Sequence, residues 1–197
     1  MISNWSTNSL AELIYPIETI DPKKEPEKLF TYIDVSSVSN RTLAVTENTE
    51  ILGVNAPSRA RRRVRSGDVI FATIRPTLQR IAVIPENLDS AICSTGYFVF
   101  RTRAFIEPKF LYYYLQSVPF MADMESCQSG ASYPAVSDTQ VKQHNISYPN
   151  QAEQKRIVAI IDEAFKGVAV AIANTEKSLV NVRELFRSFI IRLFSSW

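Results

Sequence analysis

The stretch that decides the fold is residues 151–197, QAEQKRIVAIIDEAFKGVAVAIANTEKSLVNVRELFRSFIIRLFSSW. It contains no proline and a single glycine, Gly167, so it can form one continuous helix of roughly 65 Å at 1.5 Å per residue. A domain of this size cannot cover such a helix with its own core. We therefore predict a long helix that needs a partner.

Alternating steps of three and four, the spacing of a coiled-coil seam, connect Ile172, Thr175, Leu179, Val182, Phe186, Phe189 and Leu193, of which all but Thr175 are apolar. Two consecutive steps of four, at 164, 168 and 172, form a stutter that locally straightens the supercoil. The alternative is a helix that lies wholly on its own domain. The predicted dimer seam consists of Ile157, Ile161, Val168, Ile172, Leu179, Val182, Phe186, Phe189 and Leu193.

Residues 9–104 favour β-strands, because short runs of β-branched and aromatic residues are separated by Gly67, Pro76, Pro85 and Gly96, which are turn or bulge positions. The predicted strands are Phe30–Val35, Val69–Ile74, Ile81–Ile84 and Tyr97–Phe100. Two helices, Glu107–Ser117 and Ser137–Gln143, and a last strand, Asn145–Tyr148, are predicted to follow. The predicted fold class is α+β: a curled, mostly antiparallel sheet with packed helices over residues 1–150, then the coiled-coil-forming helix over 151–197.

The sequence lacks the features of membrane-spanning, secreted and metal-binding proteins. No run approaches the roughly 18 apolar residues of a membrane-spanning helix, and the start, MISNWSTNSLAEL, lacks the basic and apolar regions of a secretory signal, so we expect a cytoplasmic chain without a membrane partner. Cys93 and Cys127 have no companion cysteine or histidine cluster, so both are interpreted as small buried or half-buried residues. No metal site and no cofactor are expected.

Catalysis finds little support. The five glycines are at least 14 residues apart, so no glycine-rich loop for a methyl donor is present, and His144, the only histidine, has no nucleophile or carboxylate near it in sequence. The alternative of a metal-dependent nuclease would use Asp138, Glu153 and Lys155, whose order imitates an acid followed by Glu-x-Lys. Against it, Glu153 and Lys155 open the predicted long helix, whereas nucleases of that class usually place the motif on a strand.

The strongest charge in the chain is basic. Residues 59–80, RARRRVRSGDVIFATIRPTLQR, hold seven arginines and one aspartate, although the whole chain has a net charge of only +2. A surface that neutralises DNA phosphates needs such local charge. A solvated basic loop without a partner is the alternative. The residues assigned to phosphate contacts are Arg59, Arg61, Arg62 and Arg63, whereas Arg65, close to the turn at Gly67, is assigned a possible role in the fold.

Base reading is assigned to a loop between two predicted strands. Arginine can grip guanine, and glutamine adenine, through paired hydrogen bonds in the major groove, which favours Arg75, Thr77, Gln79 and Arg80. Small polar residues in other turns are second-rank candidates, with ordinary turn chemistry as the alternative. They are Ser94, Thr95, Ser129, Ser132 and Tyr133.

Six segments, in this order and covering about residues 10–195, resemble the specificity subunits of type I restriction-modification systems. They are Gly67-Asp68-Val69-Ile70, Arg75-Pro76, Cys93-Ser94-Thr95-Gly96-Tyr97-Phe98, Phe110-Leu111-Tyr112-Tyr113-Tyr114-Leu115, Ser129-Gly130-Ala131-Ser132-Tyr133-Pro134 and Pro149-Asn150-Gln151-Ala152-Glu153-Gln154 with Ile157. Each segment is weak alone, and their shared order makes the resemblance specific.

The resemblance implies a non-catalytic subunit that recognises double-stranded DNA and recruits methyltransferase subunits and ATP-driven nuclease-translocase subunits. Such subunits typically carry two recognition domains, each followed by a helix, and this sequence has one of each, as a natural half-subunit or as a fragment of a longer chain. Two copies joined by their helices would form a two-fold dimer on a bipartite palindromic site. The remaining alternative is a coiled-coil module whose head binds protein instead of DNA.

Overall fold

The computed structural model describes residues 5–194, and the chain divides between Lys155 and Arg156 into two compact units. The first is a globular head of strands and short helices, and the second is the remaining length of the C-terminal helix. The predicted α+β class and the long helix are confirmed. Residues 195–197, which belong to the predicted 151–197 helix, lie outside the described residues.

The strands of the head are short. They are β1 (Ser6–Ser9), β2 (Ile14–Tyr15), β3 (Leu29–Ile33), β4 (Val38–Ser39), β5 (Ala44–Val45), β6 (Thr49–Leu52), β7 (Ala60–Arg63), β8 (Val69–Ala72), β9 (Ile81–Val83), β10 (Ile92–Ser94), β11 (Tyr97–Thr102) and β12 (Asn145–Tyr148). The helices are α1 (Pro108–Tyr114), α2 (Val118–Cys127), α3 (Asp138–Gln143) and α4 (Gln151–Phe194). Short 3-10 turns connect many of the strands.

The strands form two four-stranded sheets, in the orders β6-β3-β10-β7 and β2-β11-β8-β9, and the two-stranded pairs β1-β12 and β4-β5. Every neighbouring pair of strands is antiparallel except β3 and β10, which are parallel. The predicted antiparallel character is therefore confirmed. The strands are divided among several sheets. This division was not predicted, because the sequence indicates where strands lie but not which strands pair.

The main core lies between the two four-stranded sheets. Ile33 and Cys93 from the first sheet meet Ile70, Ala72 and Tyr97 from the second, and all five are buried. Because desolvation disfavours the thiolate, burial raises the pKa of the Cys93 thiol to about 12. The interpretation of Cys93 as a buried structural residue agrees with this position, and Cys127 is half-buried and free.

The short helices cover the outer face of the second sheet, where Phe71 of β8 meets Phe120 of α2 edge to face, with ring centroids 5.3 Å apart. The sequence analysis did not predict α2. It begins after Ser117, whose hydroxyl accepts the Phe120 N–H, and its Pro119 occupies the first turn, where a missing N–H costs nothing. By contrast, α3 begins as predicted, after a cap at Ser137.

Asp68 of the Gly67-Asp68 segment forms a buried ion pair, which gives this segment a structural role. Asp68 is 3% exposed, and one of its carboxylate oxygens lies 2.7 Å from Nη2 of Arg101 on β11. The same carboxylate accepts the backbone N–H of Arg65 at 2.8 Å, across a turn in which Gly67 has a φ of +83°. A left-handed residue costs glycine little, so glycine is suited to the turn that aims Asp68 inward.

The first turn of α4 is tied to the head by Gln154, which is fully buried. Its side-chain oxygen accepts the N–H of Glu107 at 2.8 Å, and its amide nitrogen donates to the carbonyls of Phe105 at 3.0 Å and Pro149 at 2.9 Å. The bond to the Pro149 carbonyl is buried, where a polar group without a partner would be costly. In the Glu153-Gln154 segment at the helix start, Gln154 therefore has a structural role: it fixes the first turn of α4 to the head.

Ile157 and Ile161 of the predicted seam are half-buried, and the part of α4 after residue 162 is exposed. From residue 163 to residue 194 every position is solvent-exposed, and the predicted seam residues Leu179, Val182 and Phe186 are 51%, 61% and 66% exposed. Contiguous apolar surface of this kind is unusual on a helix without a partner. None of the helices within residues 5–194 combines the length and apolar character needed to cross a membrane.

Candidate nucleic-acid interface

The seven arginines of residues 59–80 differ in exposure and in what they contact, and the sequence does not show these differences. Three of them lie on β7, half-buried, and each faces a carboxylate from a distant part of the chain. The ion pairs are Arg61–Asp21, Arg62–Asp138 at 2.8 Å and Arg63–Glu18 at 3.7 Å. The charge of this strand is therefore largely compensated within the head itself.

The β7 pairs also have local structural roles. Arg62 is the most buried of the three, with its side chain 15% exposed, and its partner Asp138 is the first residue of α3. The hydrogen bond from Arg61 holds the pKa of Asp21 below its usual range. These contacts join the 18–21 segment and α3 to the edge of the first sheet.

Arg80 is hydrogen-bonded to a backbone carbonyl instead of a carboxylate. Its Nη1 donates to the carbonyl oxygen of Val35 at 2.7 Å, and the hydroxyl of Tyr97 donates to the same oxygen at 2.9 Å. Burial raises the pKa of Tyr97, so this hydroxyl stays a donor. Arg80 thus supports the core next to the predicted base-reading loop.

Arg75 stands apart from this group. Its side chain is exposed, and no hydrogen bond or ion pair to its guanidinium is present within residues 5–194. It precedes a 3-10 turn, Pro76–Leu78, and both Arg75 and Gln79 flank that turn in the left-handed region, with φ of +50° and +52°. The side chains of Thr77 and Gln79 are also exposed.

A second exposed loop, residues 129–135, is closed on itself. The N–H groups of Ser129 and Ala135 each donate to the other's carbonyl, at 2.9 and 2.8 Å. Gly130 has a φ of +99°, and a Cβ there would lie 2.8 Å from the carbonyl oxygen of Tyr133. Glycine is therefore required for the tight path that presents Ser132 and Tyr133 to solvent.

The two loops meet. The N–H of Arg75 donates to the carbonyl of Pro134 at 2.7 Å, and the guanidinium carbon of Arg75 lies 5.0 Å from the ring centroid of Tyr133. Tyr133 as a whole remains 71% exposed. We call residues 75–79 and 129–135 together the loop pair. It brings Arg75, Thr77, Gln79, Ser129, Ser132 and Tyr133 to one surface.

The turn between β10 and β11 joins the same end of the sheets, since the N–H of Thr73, just after β8, donates to the carbonyl of Gly96 at 2.9 Å. Thr95 is exposed, and its N–H donates to the carbonyl of Arg59 at 2.8 Å. Ser94 is fully buried, and its hydroxyl accepts the N–H of Gly96. In this conformation Ser94 serves the turn, so its assignment as a DNA contact is not retained.

His144 lies in a hydrogen-bonded network. It has companions that are distant in sequence: its Nδ1 lies against the carboxylate of Asp123 on α2, and its Nε2 is 2.7 Å from the hydroxyl of Tyr114 on α1. The backbone carbonyl of His144 also accepts the N–H of Leu10. This network joins α1, α2 and the N-terminal segment, and it contains no serine or cysteine nucleophile.

The positions of Asp138, Glu153 and Lys155 do not support the nuclease alternative. Asp138 is paired with Arg62, and Glu153 and Lys155 lie in the first turns of α4. Across residues 5–194 there is no group of three or more histidine, cysteine or acidic side chains that could hold a metal ion.

The family to which this fold and sequence belong is that of the type I restriction modification DNA specificity domain, which matches residues 9–181. The chain is a member of this family. The specificity subunits for which the family is named are recognition subunits of restriction-modification systems, not their catalytic subunits.

Individual relatives agree with this assignment. The HsdS subunit from Thermoanaerobacter tengcongensis is 43% identical, with a TM-score of 0.78 over 84% of this chain and 43% of that one. A chain from a structure on complex assembly and conformational transition of the type I R-M system is 42% identical, with a TM-score of 0.79 over 84% of this chain and 43% of that one. The HindI specificity subunit of Haemophilus influenzae strain Rd is 22% identical over all of this chain and 41% of its own length.

The S subunit from M. genitalium shares only 14% identity, with a TM-score of 0.51, over 84% of this chain and 41% of that subunit, and therefore supports the fold alone. In all of these comparisons the chain spans about two fifths of the length of the relative that it matches.

Proposed function

We propose that the chain recognises a specific sequence in double-stranded DNA as the non-catalytic recognition component of a type I restriction-modification complex. The observation that carries this proposal is the loop pair. In a chain that shares the fold of an HsdS subunit, two exposed polar loops contact each other and present Arg75, whose guanidinium has no hydrogen bond or ion pair within residues 5–194. DNA recognition requires such uncommitted donors on a rigid support.

The residues divide into two roles under this proposal. The loop pair supplies base-edge contacts through Arg75, Thr77 and Gln79, with Ser129, Ser132, Tyr133 and Thr95 around them. Arg59, exposed beside Thr95, supplies a phosphate contact. Arg61, Arg62 and Arg63 would have to leave their carboxylates to do the same, so we assign them chiefly to holding β7, and Arg80 to supporting the core.

We further propose that the head, residues 1–150, is the recognition domain and that the helix, 151–197, dimerises and sets the spacing. The exposed apolar surface of α4 favours a partner helix, and a second copy supplies the same surface in a closed two-fold pair. Two heads related in this way would read identical half-sites in opposite orientation, separated by a spacer that neither head contacts.

The partners follow from the family. The dimer would bring methyltransferase subunits and, in a complete restriction complex, nuclease-translocase subunits to the DNA that it has recognised. A complex of this kind acts in the cytoplasm, where its DNA is. The chemistry of methyl transfer and of cleavage would lie in those subunits.

DNA binding is tested by measuring the affinity of the purified chain, with its methyltransferase subunit, for randomised duplexes between about 50 and 200 mM salt. We expect retention of a subset of sequences and an affinity that falls steeply with salt, because phosphate contacts release counterions. Binding that is absent at every salt concentration would favour the alternative, a coiled-coil module whose head binds protein.

Dimerisation is tested by Leu179→Glu, with Val180→Glu as the matched control. The two side chains are 51% and 52% exposed and adjacent, but only Leu179 lies in the seam. A carboxylate buried without a partner costs several kcal/mol, so the Leu179 variant should weaken the dimer roughly a hundredfold or more. Light scattering should give about twice 22.3 kDa for the wild type and the control. A dimer that persists in the Leu179 variant would contradict the seam.

A further inference from the structure

We propose that Arg75, held on the ring of Tyr133, reads a guanine of the target in the major groove. This inference rests on the proposed DNA recognition and deepens it, since it names one base and the side chain that contacts it.

The guanidinium of Arg75 is free to bind. Arg61, Arg62 and Arg63 face carboxylates, and Arg80 is bonded to a carbonyl, whereas the Arg75 side chain has no hydrogen bond or ion pair anywhere in the described chain, residues 5–194. Arginine carries five N–H donors in a planar fork, and two of them match the O6 and N7 acceptors of guanine. A ligand can therefore engage Arg75 without breaking a contact inside the protein.

The ring of Tyr133 restricts where the guanidinium can go. A cation 5.0 Å from the ring centroid is held through its face, and this leaves the donors at its edge available. Tyr133 itself is positioned by the closed loop around Gly130, where a Cβ would collide with its carbonyl. The loop pair thus presents a preorganised fork instead of a flexible charge.

The backbone points to a directional role. Arg75 has a φ of +50°, a conformation that glycine adopts at little cost and arginine does not. Its N–H is fixed to Pro134 at 2.7 Å, and Gln79 closes the turn with a φ of +52°. A phosphate contact needs only positive charge. An arginine on an unstrained backbone would provide that charge equally well. An arginine fixed in this way is suited to a contact in which angle matters.

The test replaces single guanines of the selected half-site by 7-deazaguanine, which removes the N7 acceptor and leaves base pairing intact. For the wild-type chain with its methyltransferase subunit, one guanine should be sensitive, with an affinity loss on the order of tenfold. With Arg75→Gly the natural site should bind about tenfold more weakly, and 7-deazaguanine at that position should cause no further loss. All other positions should behave as in the wild type.

Two comparisons control for folding and for charge. Arg75→Gly removes the strained side chain, so thermal unfolding should show a protein at least as stable as the wild type. Tyr133→Phe keeps the ring face and should keep guanine discrimination, whereas Tyr133→Ala should reduce it. Arg59→Ala removes an exposed arginine outside the loop pair and should lower affinity equally for every base.

Three results would overturn the inference: a selected site without guanine, an Arg75 variant that loses affinity equally at all positions, or one that retains the wild-type sensitivity to 7-deazaguanine. An equal loss would assign Arg75 to a phosphate instead. In each case selective DNA binding by the wild type would leave the proposed function standing. Absence of any selective binding by the wild type would overturn the proposed function and this inference together.

Discussion

The arginines of β7 and the arginine of the loop pair come from the same basic segment, yet they differ in what they contact. Arg61, Arg62 and Arg63 face carboxylates supplied by the 18–21 segment and by α3. Arg75 lies on an aromatic ring and has no acidic partner among the described residues. The number of arginines in a segment therefore overestimates the charge that is available to a ligand.

The difference also separates two uses of arginine. A guanidinium paired inside the head joins elements that are distant in sequence, and its removal should lower stability. A guanidinium without a protein partner should be removable without loss of stability, and its removal should lower affinity or selectivity. Stability and DNA binding, measured on the same variants, therefore distinguish the two uses.

The largest effect is expected at the most buried arginine pair, Asp68 with Arg101. Asp68→Ala leaves Arg101, whose side chain is 16% exposed, without its carboxylate and removes the acceptor of the Arg65 N–H. We expect the free energy of unfolding to fall by about 3 to 5 kcal/mol, measured by urea denaturation.

Asp89→Ala is the matched control, because Asp89 also accepts a backbone N–H, that of Ser66, but is exposed. Its loss should lower the free energy of unfolding much less than Asp68→Ala does, because the Asp89 carboxylate is exposed to solvent. Equal losses in the two variants would mean that burial of the Asp68 pair contributes nothing beyond its hydrogen bonds.

A smaller effect on stability is expected on β7. Arg62→Ala removes the bond to Asp138 at the start of α3, and we expect a loss of about 1 to 2 kcal/mol, since the Arg62 side chain is only 15% exposed. Its affinity for DNA, measured under conditions where the variant is folded, should keep the wild-type salt dependence. A salt slope reduced by about one unit would show instead that Arg62 leaves Asp138 to neutralise a phosphate.

Arg59→Ala should behave in the opposite way. Arg59 is exposed and unpaired within residues 5–194, so its loss should leave the free energy of unfolding within about 0.5 kcal/mol of the wild type. Affinity should fall several-fold for all sequences, and the slope of log affinity against log salt should fall by about 0.9. An unchanged slope would remove Arg59 from the phosphate contacts.

The smallest effect concerns the pH dependence of the Arg61–Asp21 pair. The folded-state pKa of Asp21 is lowered from 3.8 by the Arg61 hydrogen bond, so the pair stabilises the fold above that value. The contribution is lost as pH falls through the lower folded-state pKa. The difference in stability between the wild type and Asp21→Asn should therefore be present at neutral pH and shrink below about pH 4. A difference that does not depend on pH would contradict the ion pair.

Much of the fold could be predicted, because it follows from local patterns: the run of β-branched and aromatic residues in Val69–Ile74, the cap at Ser137 and the apolar spacing of α4. The helix α2 was missed because its burial is decided by Phe71 on a distant strand. The partners of β7 were missed for a similar reason, since Arg62 and Asp138 are 76 positions apart.

The candidate site shows the same limit. The 75–80 loop was found from residue types, but the sequence could not show that Arg80 turns inward to Val35 or that Arg75 meets Tyr133. Ser94 is a small polar residue of the kind found in exposed turns, yet it is fully buried. Its burial depends on how the two sheets pack, which the sequence does not show. Long-range contacts decide which polar side chains remain available.

The central claim, sequence-specific DNA recognition by a two-fold dimer, is tested most directly by sequencing the duplexes that the purified chain and its methyltransferase subunit retain from a randomised library. The account predicts two identical half-sites in opposite orientation, at one fixed spacing and with a guanine in each half. Retention without any sequence preference, or a single asymmetric site, would contradict it.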